Sequence, residues 1–265
     1  MDTEPTTETK LSKPTAENWK KYLFEFVLIF LAVFLGFLAD SYREVYAERQ
    51  QSVELAKSFY LELRNDSIAA AQKVVGRLKK EQAVAHLYNF FRDSSLTSTS
   101  KSLSINFIYG IAARSTIIFT PRTVVLEQLK SSGSLRYLKN ENLQKLVGDL
   151  AVVIDYIQTR QEYENSIFNE YVEPLMVQHM DYDFQDKLLG DYDSIFERIE
   201  QYEKSNEYIP FHLSQIEKIN RKEIMNALGY FHDNGLRSTR LIPFKNYLNA
   251  NAALLKALRE EYNLK

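Results

Sequence analysis

One stretch near the N-terminus has an apolar pattern unlike the rest of the chain. Residues 22–39 read YLFEFVLIFLAVFLGFLA, and Glu25 is the one charged residue among these 18. A helix of this length covers about 27 Å, close to the thickness of the hydrocarbon core of a bilayer. Because the stretch is apolar on every face, the pattern predicts a transmembrane helix over 20–39 rather than a buried helix of a soluble protein.

Aromatic and basic residues mark both ends of the predicted span. Trp19, Lys20, Lys21 and Tyr22 lie at its start, and Tyr42 lies just past its end, as expected of anchors at the two membrane interfaces. The apolar run is longer than the roughly 7–15 residues of a signal-peptide core, which favours an uncleaved signal anchor. Four lysines precede the span and three basic residues follow it closely. This bias predicts a cytoplasmic N-terminus and a periplasmic C-terminal domain.

Three residues within the span could do more than contact lipid. Glu25 is ionisable, and such groups inside membranes often mark ion or proton pathways. It lies only one turn from the boundary, however, where a solvated carboxylate or one paired with Lys21 is the simpler interpretation. Ala32 and Gly36 are four residues apart and form a small face that admits a close helix neighbour. The span therefore leaves self-association and ion handling open.

The pattern after the span indicates that the helix continues out of the membrane. No glycine or proline occurs for 36 residues, and apolar positions recur at steps of three and four through a membrane-proximal helix over 40–92. This pattern puts Ile68 and Val75 on the apolar face, and Glu62 and Asp66 on the solvent face. The apolar face could pack on its own domain or form a coiled coil with a second copy. Two polar interruptions favour the first alternative.

Residues 93–265 are predicted to form a helical soluble domain, and helix-capping signals are clear in its first half. Thr120 as N-cap and Pro121 at the first helical position predict a helix that ends at Gly133, where a left-handed cap fits. Asn140 then predicts the start of a helix that continues to about residue 172. These signals place the domain in the all-α class.

The patterns predict the conformation of three other segments less directly, two in this domain and one before the predicted span. Residues 105–119 are rich in β-branched side chains, so a short strand and a buried helix are both allowed. Gly235 is expected to separate the last two helices of the chain. The first 19 residues are polar, rich in threonine and glutamate, and are expected to form a disordered tail.

Composition supports the all-α prediction and excludes several classes of function. Glycine (8) and proline (6) are about half as frequent as in average proteins, which disfavours folds that depend on many turns. The net charge of −2 argues against nucleic-acid binding, and the lack of cysteine removes disulfides and thiolate chemistry. The mean hydropathy of −0.34 suggests a soluble protein only because one apolar span is averaged with a large polar-surfaced domain.

Clustered aspartates form the one pattern that suggests a metal. Carboxylate oxygens are ligands that Ca²⁺ prefers, but the spacing does not match an EF-hand loop. An alternative is a loop that its interleaved aromatic residues hold in place, and we expect no metal and no cofactor. The segment 181–193 contains the five weak calcium candidates Asp181, Asp183, Asp186, Asp191 and Asp193.

The chain resembles the DUF6090 family of Bacteroidota membrane proteins in two blocks. The first is the aromatic-Glu start at Phe24 and Glu25, with the apolar run and the charged helix that follow it. The second is FTPRTVVLEQLKSSGSLRYLKNENLQKLV, residues 119–147. The chain departs from the family where members often carry Trp after the span. The resemblance implies a single span with a helical extracytoplasmic region, and it implies no activity.

No catalytic signature is present in the sequence. Phosphate-binding loops, the H-E-x-x-H zinc motif and the nucleophile-elbow motif are all missing. We therefore expect a non-enzymatic subunit or scaffold that self-associates or binds partner proteins in a membrane complex. The alternative is an oligomeric ion-conducting or ion-coupled assembly that uses Glu25. An extracytoplasmic sensor and an enzyme have less in their favour, the sensor because only 19 residues precede the span.

Overall fold

The structure is a computed structural model that describes residues 16–114, 117–131, 133–191 and 194–264. The all-α prediction is confirmed, because the described residues are mainly helical and contain no strand. Their α-helices are α1 (Ala16–Asp93), α2 (Lys101–Phe107), α3 (Val124–Ser131), α4 (Glu141–Ile167), α5 (Glu173–His179), α6 (Tyr182–Leu189), α7 (Ile195–Lys204), α8 (Arg221–Tyr230) and α9 (Lys245–Tyr262).

Helix α1 is longer than the sequence pattern required. It begins at Ala16, so the last four residues of the predicted tail are helical, and it continues without a break to Asp93. The first 15 residues, and with them the rest of that tail, lie outside the described residues. The predicted continuation of the apolar helix through residues 40–92 is confirmed, because no residue between the two segments breaks the helical backbone.

In the described residues, four π-helical segments connect or extend the α-helices, and their turns are wider than those of an α-helix. They are Ile108–Ala112, Phe168–Val172, Phe231–Arg237 and Arg240–Phe244. Within the segment 105–119, residues 105–112 are therefore helical, and no residue of it that the structure describes lies in a strand. The helix that begins at Asn140 was predicted to end near residue 172, but it passes through a π segment into α5 and continues to His179, with Pro174 in the first turn of α5.

The expected break at Gly235 is wrong. The chain remains helical from α8 through two π segments into α9. A Cβ at position 235 would lie 3.1 Å from the ring of Phe231 and 3.4 Å from Cγ of Glu164. Glycine fits at this position because a Cβ there would crowd the ring of Phe231 in the same π segment, and the wide π turns accommodate the nearby Pro243.

The chain divides into two compact units, one up to Val53 and one from Glu54 onward. The second unit contains two hydrophobic cores. The first core is built by the end of α1, α2, the first three π segments and α6 to α8, and includes Val84, Leu87, Ile108, Phe184 and Leu236. The second core is built by the earlier part of α1 with α3, α4 and α9, and includes Phe59, Leu63, Leu143, Ile157 and Leu254.

The inner face of α1 differs from the prediction. Ile68 and Val75 are 54% and 68% exposed, whereas Glu62 and Asp66, which were assigned to the solvent face, are buried. The two carboxylates are buried because they accept backbone hydrogen bonds at the start of α3. Spacing alone could not reveal this, since the partner N–H groups lie about 60 residues later in the chain.

The capping predictions are confirmed at two sites and wrong at a third. Asn140 is the N-cap of α4, and its Oδ1 accepts from two backbone N–H groups. Gly133 has a left-handed φ of 67°, as the predicted cap requires. Thr120 and Pro121 do not begin α3, which starts at Val124. Two carboxylates of α1 accept the N–H groups here instead: Asp66 accepts from Arg122, just before α3, and Glu62 accepts from Val125, in its first turn.

Candidate functional site

The apolar segment of α1 is uncovered in the first unit. Its most apolar 18-residue window has a mean hydropathy of 2.5 and is not buried by any part of the described chain. By length and composition it is a candidate membrane span. The predicted interface anchors are all exposed, namely Trp19, Lys20, Lys21, Tyr22 and Tyr42. Three phenylalanines stack along one side at centroid distances of 6.5 and 6.0 Å, namely Phe26, Phe30 and Phe34.

The remaining site residues of the span are also exposed. Glu25 forms no ion pair or hydrogen bond with any residue that the structure describes, so the simple pairing with Lys21 is not formed. Ala32 and Gly36 are accessible on the helix surface, and a Cβ at Gly36 would meet no atom within 4 Å. The small face is therefore accessible to another helix.

An apolar stripe lies on α1 in the second unit as well. Leu61, Ile68 and Val75 are exposed at intervals of seven residues, and Leu78 follows one turn later. This spacing is that of one position of a heptad repeat, in which apolar side chains of one helix pack against a second helix. We call these four residues the α1 stripe.

A layer of buried charge lies along α1 between the residues that supply the two cores. Arg77 Nη1 donates to Glu164 Oε2 at 2.6 Å, and both side chains are almost fully buried. The guanidinium also lies 4.5 Å above the ring of Phe244. Its Nε has no hydrogen-bond partner among the described atoms. One turn further, Glu81 accepts two hydrogen bonds from Arg240 at 2.7 and 2.8 Å.

Lys80 is the most unusual member of this layer. It is 2% exposed, and its Nζ donates to the carbonyl of Ala113 at 3.0 Å. The centroids of the Phe168 and Phe231 rings lie 5.7 and 5.9 Å from Nζ. The amine is therefore surrounded by two residues of π segments and by Ala113, which directly follows another. Burial lowers the pKa of Lys80 to about 7; the charge of Glu164 opposes this shift, and nearby arginines add to it.

A second buried polar group joins α1 to α3 and α9. Asp66 Oδ2 accepts from the backbone N–H of Arg122 at 2.7 Å and from the hydroxyl of Tyr247 at 3.3 Å. Glu62 Oε2 accepts from the N–H of Val125 at 3.2 Å. Burial raises the pKa of Asp66, the two hydrogen bonds oppose that shift, and the charge of Glu62 adds to it.

A cleft of about 680 Å³ lies between α8 on one side and the Phe168–Val172 segment with α5 on the other. Tyr171 and Tyr230 meet edge to face in its wall, with centroids 5.7 Å apart. The hydroxyl of Tyr230 forms a 2.7 Å hydrogen bond with that of Tyr163. We call this the tyrosine cleft. The residues that line it are Glu170, Tyr171, Pro174, Leu175, Asn220, Lys222, Glu223, Asn226, Ala227 and Tyr230.

A smaller cleft of about 390 Å³ lies beside α1 and is lined by lysines, one of which forms an ion pair within the protein. Lys79 Nζ donates to Glu203 Oε2 at 3.1 Å and lies 3.7 Å from the centroid of Tyr109. The hydroxyl of Tyr109 also donates to Glu203, at 3.2 Å. Because Glu203 neutralises this lysine, the cleft is a weaker candidate for an anionic ligand.

The aspartate segment does not form a metal centre where it is described. Asp181 is the N-cap of α6, and its Oδ1 accepts from the N–H of Phe184 at 3.3 Å. Asp183 and Asp186 lie within α6, so the expected loop is wrong here, and Asp191 follows in a turn. Asp193 lies outside the described residues. In the rest of the segment, as elsewhere in the described chain, no three Asp, Glu or His side chains come together around one point.

Comparisons with protein-family models, curated proteins and solved structures give no significant match. The resemblance to DUF6090 therefore stays a prediction that rests on two sequence blocks. The buried charge and the tyrosine cleft were not identified from the sequence. Their members are separated by tens of residues, and without the fold nothing distinguishes Arg77 or Tyr230 from other residues of the same type.

Proposed function

We propose that this chain is a single-pass protein of the bacterial inner membrane that acts as a non-enzymatic subunit or scaffold. The observation that carries the proposal is the apolar segment of α1, which no described part of the chain covers. Burying such a segment in a bilayer is strongly favourable, because each apolar Å² removed from water contributes about 25 cal/mol. The lipid bilayer is therefore its first partner in the proposal.

Self-association through α1 is the second part of the proposal. Ala32 and Gly36 form an accessible small face of the kind that lets helix backbones approach closely in membranes. In the second unit the α1 stripe exposes Leu61, Ile68 and Val75, which a second copy or a partner subunit would cover. Both features lie on the one helix that the proposal anchors in the membrane.

The orientation rests on the basic residues before the span. A cytoplasmic N-terminus and a periplasmic C-terminal domain follow from the small excess of lysine on the N-terminal side. A membrane-impermeant maleimide applied to intact cells tests this. It should label Val177→Cys in the domain and should not label Lys10→Cys, and the reverse pattern would overturn the orientation.

Single-cysteine crosslinking tests self-association directly, because the chain has no cysteine of its own. Ala32→Cys and Ile68→Cys are oxidised in native membranes, and Val152→Cys, which is 70% exposed on α4, is the matched control. We expect disulfide-linked dimers at positions 32 and 68 and at least fivefold fewer at position 152. Only monomers at all three positions, with no crosslinked partner protein, would overturn the proposal.

A further inference from the structure

The tyrosine cleft has the composition of a site for an extended peptide. Its size of about 680 Å³ lies within the range of roughly 300–1,000 Å³ that is usual for ligand pockets. Two tyrosine rings, a proline and a leucine supply apolar surface, and amides and charged groups complete the lining. We propose that the cleft binds a proline-containing segment of a partner protein that also carries a basic residue. This inference rests on the proposed role in partner binding.

The aromatic wall is held rigid before any ligand binds. The hydroxyl of Tyr230 is fixed by a hydrogen bond with the hydroxyl of Tyr163. The edge-to-face contact at an interplanar angle of 89° fixes the two rings relative to each other. A preorganised surface loses little entropy on binding, and a proline-rich segment, which is already extended, loses little as well. Aromatic-lined grooves bind such segments for this reason.

The polar groups of the cleft match the backbone of a proline-containing peptide. Proline has no N–H, so such a segment presents mainly carbonyl acceptors and needs donors. Asn220 uses its Oδ1 to accept from the N–H of Glu223 at 3.3 Å, which leaves its amide N–H groups for a ligand. Asn226 and Lys222 make no side-chain hydrogen bond within the described chain and supply further donors.

The charges of the cleft favour a basic peptide over an anionic one. Glu170 and Glu223 contribute two negative charges and Lys222 one positive charge, so that the net charge of the lining is −1. A saccharide would use the same rings, but the hydroxyl of Tyr230 is already hydrogen-bonded to Tyr163 and is less available to sugar hydroxyls. A peptide with arginine or lysine gains from the carboxylates, whereas a neutral sugar does not.

A peptide selection on the full chain in lipid nanodiscs tests the inference. A phage-displayed random decapeptide library is selected on the natural protein and counter-selected on the Tyr171→Ala/Tyr230→Ala double variant. We expect the enriched peptides to contain at least two prolines and one arginine or lysine. No enrichment over the double variant, or enrichment of peptides without proline, would overturn the inference.

The enriched consensus peptide is then labelled with fluorescein, and its affinity for single-residue variants of the protein is measured by fluorescence anisotropy. Tyr171→Ala should weaken binding about tenfold or more, as the loss of a central aromatic contact does, and exposed Asn226→Ala should weaken it severalfold without affecting the fold. Tyr208→Ala, an exposed tyrosine outside the cleft, should leave binding unchanged. Equal affinity for all four proteins would contradict the site.

The peptide-binding experiments and the crosslinking experiments can fail independently of each other. Peptide binding without crosslinking at Ile68 would retain the cleft and remove self-association. Crosslinking without peptide selection would do the opposite. A panel of oligosaccharides is also tested for competition with the peptide. If one of them releases the peptide and binds more strongly than any peptide, the cleft is a saccharide site and the inference is overturned.

Discussion

Arg77 and Glu164 form a buried ion pair with an Nη1–Oε2 distance of 2.6 Å, and this pair connects α1 to α4 between the two cores of the second unit. Both side chains are shielded from water, so each charge is stabilised mainly by the other. The attraction within such a pair offsets only part of the cost of desolvation, but removing one partner leaves the other uncompensated. The pair therefore specifies how α1 packs on α4 more than it adds to stability.

Replacing one member of this pair should destabilise the second unit strongly. We expect Glu164→Gln to lower the free energy of unfolding by about 3–5 kcal/mol, because Arg77 then stays buried without a counter-charge. The double variant Arg77→Met/Glu164→Leu should regain most of the loss. Denaturant unfolding followed by circular dichroism of the detergent-solubilised protein measures both values.

An exposed ion pair of the same length is the matched control. Lys145 Nζ lies 2.6 Å from Asp149 Oδ2 on the surface of α4. Asp149→Asn should change the free energy of unfolding by about 1 kcal/mol or less, because exposed pairs are solvated and screened. Equal effects of Glu164→Gln and Asp149→Asn would contradict the structural role that we assign to the buried pair.

Lys80 should make stability depend on pH in the alkaline range. Its folded pKa is about 7 against an ordinary value of 10.5, so between these values the unfolded chain binds a proton that the folded chain does not. Stability therefore rises with pH across this window, by up to about 1.4 kcal/mol per pH unit, and is lost as pH falls toward 7. Lys80→Met should abolish this slope.

Unfolding measured at pH 7 and pH 9 checks the role of Lys80. The difference between the two pH values should be larger in the natural protein than in Lys80→Met, and Lys80→Met should be the more stable of the two at pH 7. Other titrating groups affect both proteins equally and cancel in the comparison. Lys145→Met, at an exposed position, should keep the natural pH dependence. An unchanged slope in Lys80→Met would show that this amine is hydrated.

The sequence was sufficient for the features that local patterns encode. These features all depend on residues close together in the chain: the apolar helix near the N-terminus, its unbroken continuation, the N-cap at Asn140 and the left-handed Gly133. It was insufficient where distant segments meet. Asp66 was assigned to solvent because charged residues at helical spacing usually are exposed, and only the approach of α3 and α9 explains its burial.

Asp66→Asn should be tolerated or stabilising at neutral pH. Burial raises the pKa of Asp66, so the group stabilises the fold in its protonated form at low pH, and this contribution is lost as pH rises through the folded pKa. An asparagine removes the buried charge, and its Oδ1 can still accept from the N–H of Arg122. Asp66→Ala should cost about 1–3 kcal/mol, because that N–H loses its acceptor.

Thermal unfolding at pH 4 and pH 7 tests the prediction for Asp66. The advantage of Asp66→Asn over the natural protein should be present at pH 7 and smaller at pH 4, where the natural carboxyl is closer to its neutral form. A loss of stability in Asp66→Asn as large as that in Asp66→Ala would show that the negative charge itself is required at the start of α3.

Glu25 distinguishes the scaffold from the ion-coupled alternative. The carboxylate is exposed and has no partner within the described chain. If α1 anchors a scaffold, Glu25→Gln should leave ion flux in proteoliposomes at the level of empty liposomes, as the natural protein does, and leave crosslinking at position 32 unchanged. If several copies place Glu25 around a conducting axis, the natural protein should show flux that Glu25→Gln reduces at least tenfold. Lys21→Gln, one turn away, controls for a general change in charge near the interface.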